Sequence, residues 1–177
     1  EAKSSVTWQD QDHLFVGTDF GEGSLTDSGY PRIVKRWTRG TPLADAETIY
    51  EGQAEDISVN GWHDSTPGYE RDFIRRGVTF YTNEAYEWRK GKLLKIEKPD
   101  GAMFSVHRDW LLFELRADWD LNGVTHPAGA LLATNYKKWM KGKRDVEVLF
   151  TPTESTSLAG YSFTQNHLVL NFMEHVR

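Results

Sequence analysis

The stretch DHLFVGTDFGEGSLTDSGYPRIVKRWTRG, residues 12–40, decides the fold of this chain. It opens on a short apolar run, LFV at 14–16, and continues into a loop at 19–29 that is rich in Gly, Ser, Thr and Asp. These residue types favour turns and local side-chain hydrogen bonds. A second extended run follows at 30–37. Two extended runs joined by a turn-rich loop predict one long-looped antiparallel hairpin.

The opening of this hairpin recurs along the chain. Strands of large apolar side chains begin near Leu14, Phe73, Leu111 and Leu168, and the differences between these numbers are 59, 38 and 57 residues. Four-stranded propeller blades repeat every 40 to 50 residues or so, and long loops stretch such an interval. Short strands with polar turns also fit a sandwich or a barrel. A sandwich predicts no recurring opening, so the repeat favours an all-β propeller.

Most of the remaining sequence also predicts short strands. The clearest pattern lies in 110–116, where the odd positions 111, 113 and 115 are all apolar, a period of two. Helical periodicity is weak throughout, and its best candidate is Thr134–Lys143. The predicted strands are Ser5–Trp8, Glu47–Tyr50, Ile57–Trp62, Val78–Tyr81, Tyr86–Arg89, Leu93–Ile96, Phe104–His107, Trp110–Arg116, Ala130–Trp139, Val146–Phe150, Leu158–Phe163 and Leu168–Met173.

The composition is that of a soluble globular protein. A chain of 177 residues buries roughly 70% of its unfolded surface as one domain. The net charge of −5 argues against a nucleic-acid partner, and the absence of cysteine excludes disulfides and thiolate chemistry. No apolar run approaches the length of a membrane-spanning helix, and the first residues, EAKSSVTW, do not resemble a signal peptide. We therefore expect a soluble protein without a membrane partner, cytoplasmic or periplasmic.

Five strings of the sequence are similar to one known family. They are VGTDFGEGSLTDSGYPRIVKRWTRGTPL, TPGYERDF, VHRDWLLFELR, PAGALL and VLFTPTESTSLAGYSFTQNHLVLN. They resemble the amino-terminal β-propeller domain of bacterial prolyl oligopeptidase family serine peptidases, and the resemblance runs over essentially the whole chain. In such enzymes a seven-bladed propeller caps an α/β-hydrolase domain, and its central channel restricts access to short peptides.

The resemblance implies a partial β-propeller of about three antiparallel four-stranded blades. Their approximate limits are 1–64, 65–108 and 109–165, with the start of a further blade at 166–177. The catalytic α/β-hydrolase domain is then absent from this chain and is its partner in the same parent protein. The parent is expected to be a serine-type peptidase acting on short peptides, and this chain to be inactive.

The sequence offers no catalytic, cofactor or metal residues. A hydrolase nucleophile requires Gly-x-Ser-x-Gly, and the nearest match, at 160–164, lacks the final glycine. Residues 118–123 match half of a calcium loop, but its twelfth position is Gly129 instead of a bidentate Glu. Asn122-Gly123 is a strong hairpin signal, so a turn is predicted there. The Gly-rich segment 21–24 precedes no predicted helix, as a dinucleotide loop would require.

The loop DSTPGYERD, residues 64–72, holds the candidate site residues. It places two carboxylates, a phenol, a guanidinium and a further carboxylate within nine residues: Asp64, Tyr69, Glu70, Arg71 and Asp72. Functional residues concentrate on loops carried by a rigid scaffold, and a propeller presents its loops at the mouth of the channel. The alternative is an internal network of arginine and carboxylates that orders a long loop.

These observations lead to one main interpretation and two alternatives. The main interpretation is the non-catalytic, substrate-gating portion of a prolyl oligopeptidase-like peptidase. The first alternative is a fragment of a propeller glycosidase that uses channel carboxylates such as Asp64 and Glu70. The second is a carbohydrate-binding β-sandwich with some of the 7 Trp as sugar platforms. A blade segment with apolar first and last strands is also expected to self-associate.

Overall fold

The computed structural model describes residues 3–175, which divide into two compact units, one that ends at Asp100 and one that begins at Gly101. The first unit contains two four-stranded antiparallel sheets in which strands adjacent in sequence are neighbours. The first sheet comprises β1 (Ser5–Trp8), β2 (His13–Gly17), β3 (Ile33–Thr38) and β4 (Glu47–Glu51), with a 3₁₀ turn at Leu43–Asp45. The second comprises β5 (Ser58–Asp64), β6 (Arg71–Gly77), β7 (Asn83–Arg89) and β8 (Lys92–Lys95).

The second unit contains a third four-stranded sheet and a hairpin. Its segments are β9 (Met103–His107), β10 (Trp110–Glu114), β11 (Trp119–Leu121), β12 (Val124–His126), β13 (Leu131–Asn135), α1 (Tyr136–Met140), β14 (Glu147–Phe150), β15 (Thr156–Phe163) and β16 (Leu168–Glu174). The sheet has the order β14-β13-β10-β9, and β11-β12 is a small hairpin inserted between β10 and β13. The last hairpin, β15-β16, forms a sheet of two strands.

Each four-stranded sheet has the up-and-down architecture of a propeller blade. The all-β prediction is therefore confirmed, as is the hairpin at 12–40, in which β2 and β3 pair with Leu14 opposite Trp37. Among the described residues no helix is long and apolar enough to cross a membrane.

The two sheets of the first unit share a core. Its buried members are Phe15, Val34, Ile49, Val59 and Ile74. Gly61, in the middle of β5, permits this contact, because a Cβ there would lie 3.0 Å from Val34 Cγ1, 3.1 Å from Ile74 Cδ1 and 3.2 Å from Phe15 Cβ. Real Cβ atoms rarely come so close to neighbours inside a packed core. The absence of a side chain at Gly61 therefore sets how closely the second sheet approaches the first.

The loop of the predicted hairpin also ties these two sheets together. Backbone N–H groups donate from Val59 to Pro31 O at 2.8 Å, and from Asp27 to Ala54 O at 2.8 Å. Both bonds link the loop between β2 and β3 to the segment around the start of β5. The long loop thus fixes the course of the chain from one sheet to the next.

A buried ion pair stabilises the same segment, which leads from the first sheet to the second. The Asp56 carboxylate, only 3% exposed, accepts two hydrogen bonds from the Arg76 guanidinium, at 2.8 and 2.9 Å. It accepts a third from the backbone N–H of Gln53 at 2.7 Å. The hydrogen bonds from Asp56 raise the pKa of Arg76 further above its usual range. Arg76 also donates to Glu84 at 3.1 Å, which links β6 with β7.

The second unit has its own core. Leu112, Leu131 and Ala133 of the third sheet are buried, and the last hairpin supplies partly buried side chains against them, including Leu158 and Leu170. At the margin His107 stacks on Phe163, with ring centroids 4.0 Å apart, and Ser105 Oγ lies 2.8 Å from the Tyr161 hydroxyl. The hairpin β15-β16 thus packs on the third sheet through an apolar interface with polar contacts at its edge.

Two predicted strands need correction. The prediction of a strand at Val78–Tyr81 was wrong: the strand is β6, and the backbone N–H groups of Val78 and Thr79 donate to Thr82 O and close a turn. In that turn Phe80 is 84% exposed, so its strand propensity is overridden. The predicted strand Ala130–Trp139 ends at Asn135, whose side chain accepts a hydrogen bond from Lys138 N and caps α1.

The sheets also start earlier than the approximate blade limits predicted from sequence. β5 pairs with β6 in the second sheet, whereas the first blade was predicted to extend to residue 64. In the same way β9 and β15 pair with the strands that follow them. In the three four-stranded sheets the apolar repeat marks the second strand, which has neighbours on both sides and several buried side chains. Near Leu168 it marks β16, the second strand of the terminal hairpin. The blade limits predicted from this repeat therefore fall one strand after the start of each sheet.

Replacement of Gly61 by alanine tests the close approach of the two sheets. We expect Gly61→Ala to lower the free energy of unfolding by about 1–2 kcal/mol, since the added methyl group meets three buried side chains. Gly77→Ala is the matched control, because a Cβ at Gly77 meets its nearest neighbour at an ordinary 3.5 Å. Urea unfolding of both variants gives the comparison, and equal stability of the two would contradict the packing described.

Candidate functional site

The predicted loop joins β5 to β6 at one end of the second sheet. Asp64 is the last residue of β5, and Arg71 and Asp72 are the first two of β6. Because the strands pair antiparallel, Asp64 stands opposite Arg71 and His63 stands opposite Asp72. The structure therefore brings Asp64, Arg71 and Asp72 together at the base of the loop.

The carboxylates of Asp64 and Glu70 are both used to shape the loop. Asp64 Oδ1 accepts hydrogen bonds from Thr66 N at 3.0 Å and from Thr66 Oγ1 at 2.6 Å. Its Oδ2 is buried and has no hydrogen-bond partner in the described part of the chain. Glu70 Oε1 accepts from Gly68 N at 3.1 Å, and backbone hydrogen bonds from Glu70 itself and Gly68 lower the pKa of this carboxyl. Glu70 lies at the exposed surface, where a ligand can reach it.

Arg71 and Tyr69 form a cation–π pair in the loop. Arg71 is 9% exposed, and its guanidinium carbon lies 5.8 Å from the centroid of the Tyr69 ring. A guanidinium at this distance from an aromatic face is attracted by the ring quadrupole. The pair therefore holds Tyr69 against the start of β6, and the buried position of Arg71 favours an ordering role.

Asp72 belongs to a network that crosses both sheets of the first unit. Its Oδ2 accepts a hydrogen bond from Gln9 Nε2 at 2.7 Å, and its Oδ1 lies 2.9 Å from His63 Nδ1. Gln9 Oε1 in turn accepts from Arg36 Nε at 2.7 Å, and the Arg36 guanidinium lies over the Trp88 ring. This arrangement resembles the internal network considered as the alternative for the loop. Contact of any of the five residues with a ligand stays a prediction.

A cleft of about 680 Å³ lies beside the loop, at the ends of β1 and β5. Its walls include Trp8, Gln9, Asp10, Arg39 and His63. The predicted residues Asp64, Tyr69, Glu70, Arg71 and Asp72 do not line it, but Asp72 holds two side chains that do, Gln9 and His63. Sequence reasoning missed this cleft, because no local pattern relates the turn after β1 to a loop more than fifty residues away.

Of the two charged groups in the cleft wall, Asp10 is held by short hydrogen bonds and Arg39 is not. The Asp10 carboxylate accepts hydrogen bonds from Asp12 N at 2.8 Å and His13 N at 2.9 Å, and it lies 2.9 Å from His13 Nδ1. The hydrogen bond from Asp12 N–H is the main cause of the lowered pKa of Asp10. Arg39 is exposed, and its guanidinium lies 4.0 Å from the Asp12 carboxylate.

The structure gives the described residues no metal-binding cluster of three His, Asp or Glu side chains. The half-match to a calcium loop is a turn, as predicted: Asn122 and Gly123, with φ of 52° and 80°, join β11 to β12. Ser162, the serine of the incomplete nucleophile motif, lies within β15.

Comparison with known proteins finds similar sequences and similar solved structures. No protein-family model matches the chain. It is 32% identical to an uncharacterized peptidase of Sinorhizobium fredii, across 99% of this chain and 26% of that protein, and 25% identical to an uncharacterized peptidase of Rickettsia prowazekii, across 96% and 25%. The solved structure of a post-proline cleaving enzyme from Rickettsia typhi matches with a TM-score of 0.88 at 24% identity, over 97% of this chain and 26% of that one.

The fold and these matches define the chain as a segment of a β-propeller, about three four-stranded blades long. It spans about a quarter of the length of the relatives it matches. The relatives are named as peptidases, and solved prolyl endopeptidases share the fold with a TM-score of 0.67 at 15% identity. The predicted resemblance to the prolyl oligopeptidase family is thereby confirmed.

We expect mutation of Asp72 and mutation of Glu70, two carboxylates near the end of the loop, to have different effects on stability. Asp72→Ala removes the partner of Gln9 and of His63, so we expect the free energy of unfolding to fall by about 1–3 kcal/mol. Glu70→Ala, the control, removes a fully exposed group and should leave stability unchanged within error. Thermal unfolding of both variants by circular dichroism provides the measurement. A Glu70→Ala loss as large as that of Asp72→Ala would show that the network does not stabilise the sheets as described.

Proposed function

We propose that this chain is the non-catalytic propeller portion of a serine peptidase that cleaves short peptides, and that it limits access of larger substrates to the catalytic site. The observation that supports this proposal is the match, over nearly the whole chain, to peptidases and to the propeller of a post-proline cleaving enzyme. The fold agrees with this role, since hydrogen-bonded sheets suit a barrier better than a flexible cover.

The proposed partner is an α/β-hydrolase domain in the same longer protein. The relatives extend over about four times the length of this chain. The sequence itself contains no Gly-x-Ser-x-Gly, the motif that places a nucleophile in that fold. The nucleophile, its base and the oxyanion site would then come from outside residues 1–177, and this chain would contribute selection of substrates by size.

The alternatives have less support in the structure. A glycosidase requires two carboxylates free to act on either side of a glycosidic bond. Asp64 is committed to Thr66 through Oδ1, and its Oδ2 is buried, so only Glu70 of that pair is available to a ligand. The carbohydrate-binding sandwich is contradicted by the blade architecture that the chain shares with solved peptidases.

Hydrolysis assays on the longer protein test the proposed function. We expect it to cleave a chromogenic proline-containing dipeptide and to lose this activity with a serine-directed phosphonate, whereas the 177-residue chain is inactive because it lacks a nucleophile and base. Deletion of the propeller, with the catalytic domain kept folded, should raise cleavage of a large unfolded protein relative to the dipeptide. Equal cleavage of large and small substrates by the intact protein would contradict the gating role.

The 177-residue chain in isolation is further predicted to self-associate through its last hairpin. β16 exposes apolar side chains, with Val169, Phe172 and Met173 between 42% and 52% exposed. A strand edge with apolar side chains pairs readily with a second copy. Light scattering coupled to size exclusion should show species above 20.3 kDa, and Phe172→Lys should shift them toward the monomer. A concentration-independent monomer for the unaltered chain would contradict this prediction.

A further inference from the structure

We propose that Asn122 is a site of spontaneous deamidation, and that its conversion to aspartate or isoaspartate releases the hairpin β11-β12 from the segment that follows α1. Asn122 and Gly123 form the turn of that hairpin, with φ of 52° and 80°. The modification does not depend on the proposed peptidase role, because it requires only the folded chain and water.

Deamidation at an Asn-Gly pair is an intramolecular reaction. The backbone nitrogen of the glycine loses its proton to a solvent base and attacks the side-chain carbonyl carbon of the asparagine. A new C–N bond forms, the bond to the amide nitrogen breaks, and ammonia leaves with a proton from water. Water then opens the five-membered succinimide ring at either of its two carbonyls, which gives aspartate or isoaspartate. Glycine favours ring closure because it has no Cβ to crowd the attacking nitrogen and leaves the backbone free to rotate.

The sequence contains the Asn-Gly pair twice, at 60–61 and at 122–123, and the structure exposes the second. Asn122 and Gly123 are both exposed, and a Cβ built at Gly123 would meet no atom within 4 Å. The space that the succinimide ring requires is therefore open. The strands on either side, β11 and β12, have three residues each. A short exposed hairpin distorts locally at low cost, so the backbone at Asn122 can rotate toward the reactive geometry.

The first Asn-Gly pair is protected by its sheet. Asn60 and Gly61 lie in the middle of β5, where they stand opposite Arg75 and Ile74 of β6. A side chain on a strand stands roughly perpendicular to the sheet, away from the following backbone nitrogen. Gly61 is also buried, and a Cβ there would lie only 3.0 Å from Val34 Cγ1. Ring closure at Asn60 therefore requires the second sheet to open, which costs far more than the distortion of an exposed turn.

The reaction at Asn122 removes a contact that the structure uses. Asn122 Nδ2 donates a hydrogen bond to Arg144 O at 3.0 Å, which links the hairpin to the segment after α1. An ionised carboxylate only accepts hydrogen bonds, so either product places two acceptors against each other. Isoaspartate also adds a methylene group to the backbone of the turn, and the pairing of Leu121 with Val124 depends on the length of that turn. Both products therefore loosen the hairpin from its neighbour.

Incubation of the folded chain at mildly alkaline pH, followed by trypsin digestion and mass spectrometry, tests the choice of site. The tryptic peptide 40–71 contains Asn60 as its one asparagine, and the peptide 117–137 contains Asn122 and Asn135, which fragmentation separates. We expect Asn122 to convert at least about tenfold faster than Asn60, because the sheet must open before Asn60 reacts. In the urea-unfolded chain the two Asn-Gly pairs should react at similar rates, so the difference is assigned to the fold.

Hydrogen exchange followed by NMR tests the structural consequence. Asn122→Asp reproduces the aspartyl product, and we expect amide exchange in residues 121–126 and 141–145 to become about threefold faster or more, because the bond to Arg144 O is lost. Asn166→Asp is the matched control, since Asn166 is an exposed asparagine in the turn between β15 and β16 and gains the same charge. It should leave exchange in those two segments unchanged.

Three results would overturn the proposal. The first is conversion of Asn60 or Asn135 in the folded chain as fast as that of Asn122. The second is resistance of Asn122 in the folded chain during an incubation that converts it fully in the unfolded chain. The third is exchange in Asn122→Asp that equals that of Asn166→Asp in both segments, since the hydrogen bond to Arg144 O would then hold nothing in place.

Discussion

The buried ion pair between Asp56 and Arg76 is the constraint on which the first unit depends. A carboxylate 3% exposed to solvent is costly unless its charge is matched and its oxygens are hydrogen-bonded, and Arg76 and Gln53 N meet both conditions. The pair joins the segment that crosses from the first sheet to the second with a strand of the second sheet. Gly52 makes room for it, since a Cβ there would lie 2.7 Å from Asp56 Oδ2. The placement of β5 against the first sheet, and with it the cleft, follows from this connection.

The sequence predicted the strands well because the signals for strands are local. Alternation of period two, turn residues at Lys90-Gly91 and Asn122-Gly123, and the recurring apolar strand all act within a few residues. The predictions failed where tertiary context decides. Threonine hydrogen bonds close a turn over the strand-forming Phe80. The short helix α1 lies inside the weak helix candidate Thr134–Lys143, but burial of Tyr136 and Trp139 anchors it where a strand was predicted as far as Trp139. Neither effect is visible in propensity, so the boundaries of these two elements were not predictable.

The site was predicted only in part, for a related reason. Five polar residues close together in the sequence identified the loop at 64–72, and antiparallel pairing did bring three of them together at its base. One partner of Asp72, Gln9, lies 63 residues away from it, and glutamine in a turn carries no distinctive signal. His63 was the one partner within reach of sequence reasoning, because it adjoins Asp64 and faces the other side of β5. A single sequence does not reveal pairings that only the contact between two sheets creates.

The exposed apolar side chains of the chain fall into two physical kinds. On the terminal hairpin, Phe172 is exposed on one face of β16 and Val169 and Met173 on the other, and such apolar surface suits another protein surface, which covers area without needing specific polar contacts. Trp8 instead lies with the exposed Val6 on one face of β1 and is next in sequence to Gln9, which hydrogen bonds to Asp72 and Arg36 hold in place. The network around Asp72 therefore has two consequences at once: the hydrogen bonds that join the two sheets also keep the wall around Trp8 in place.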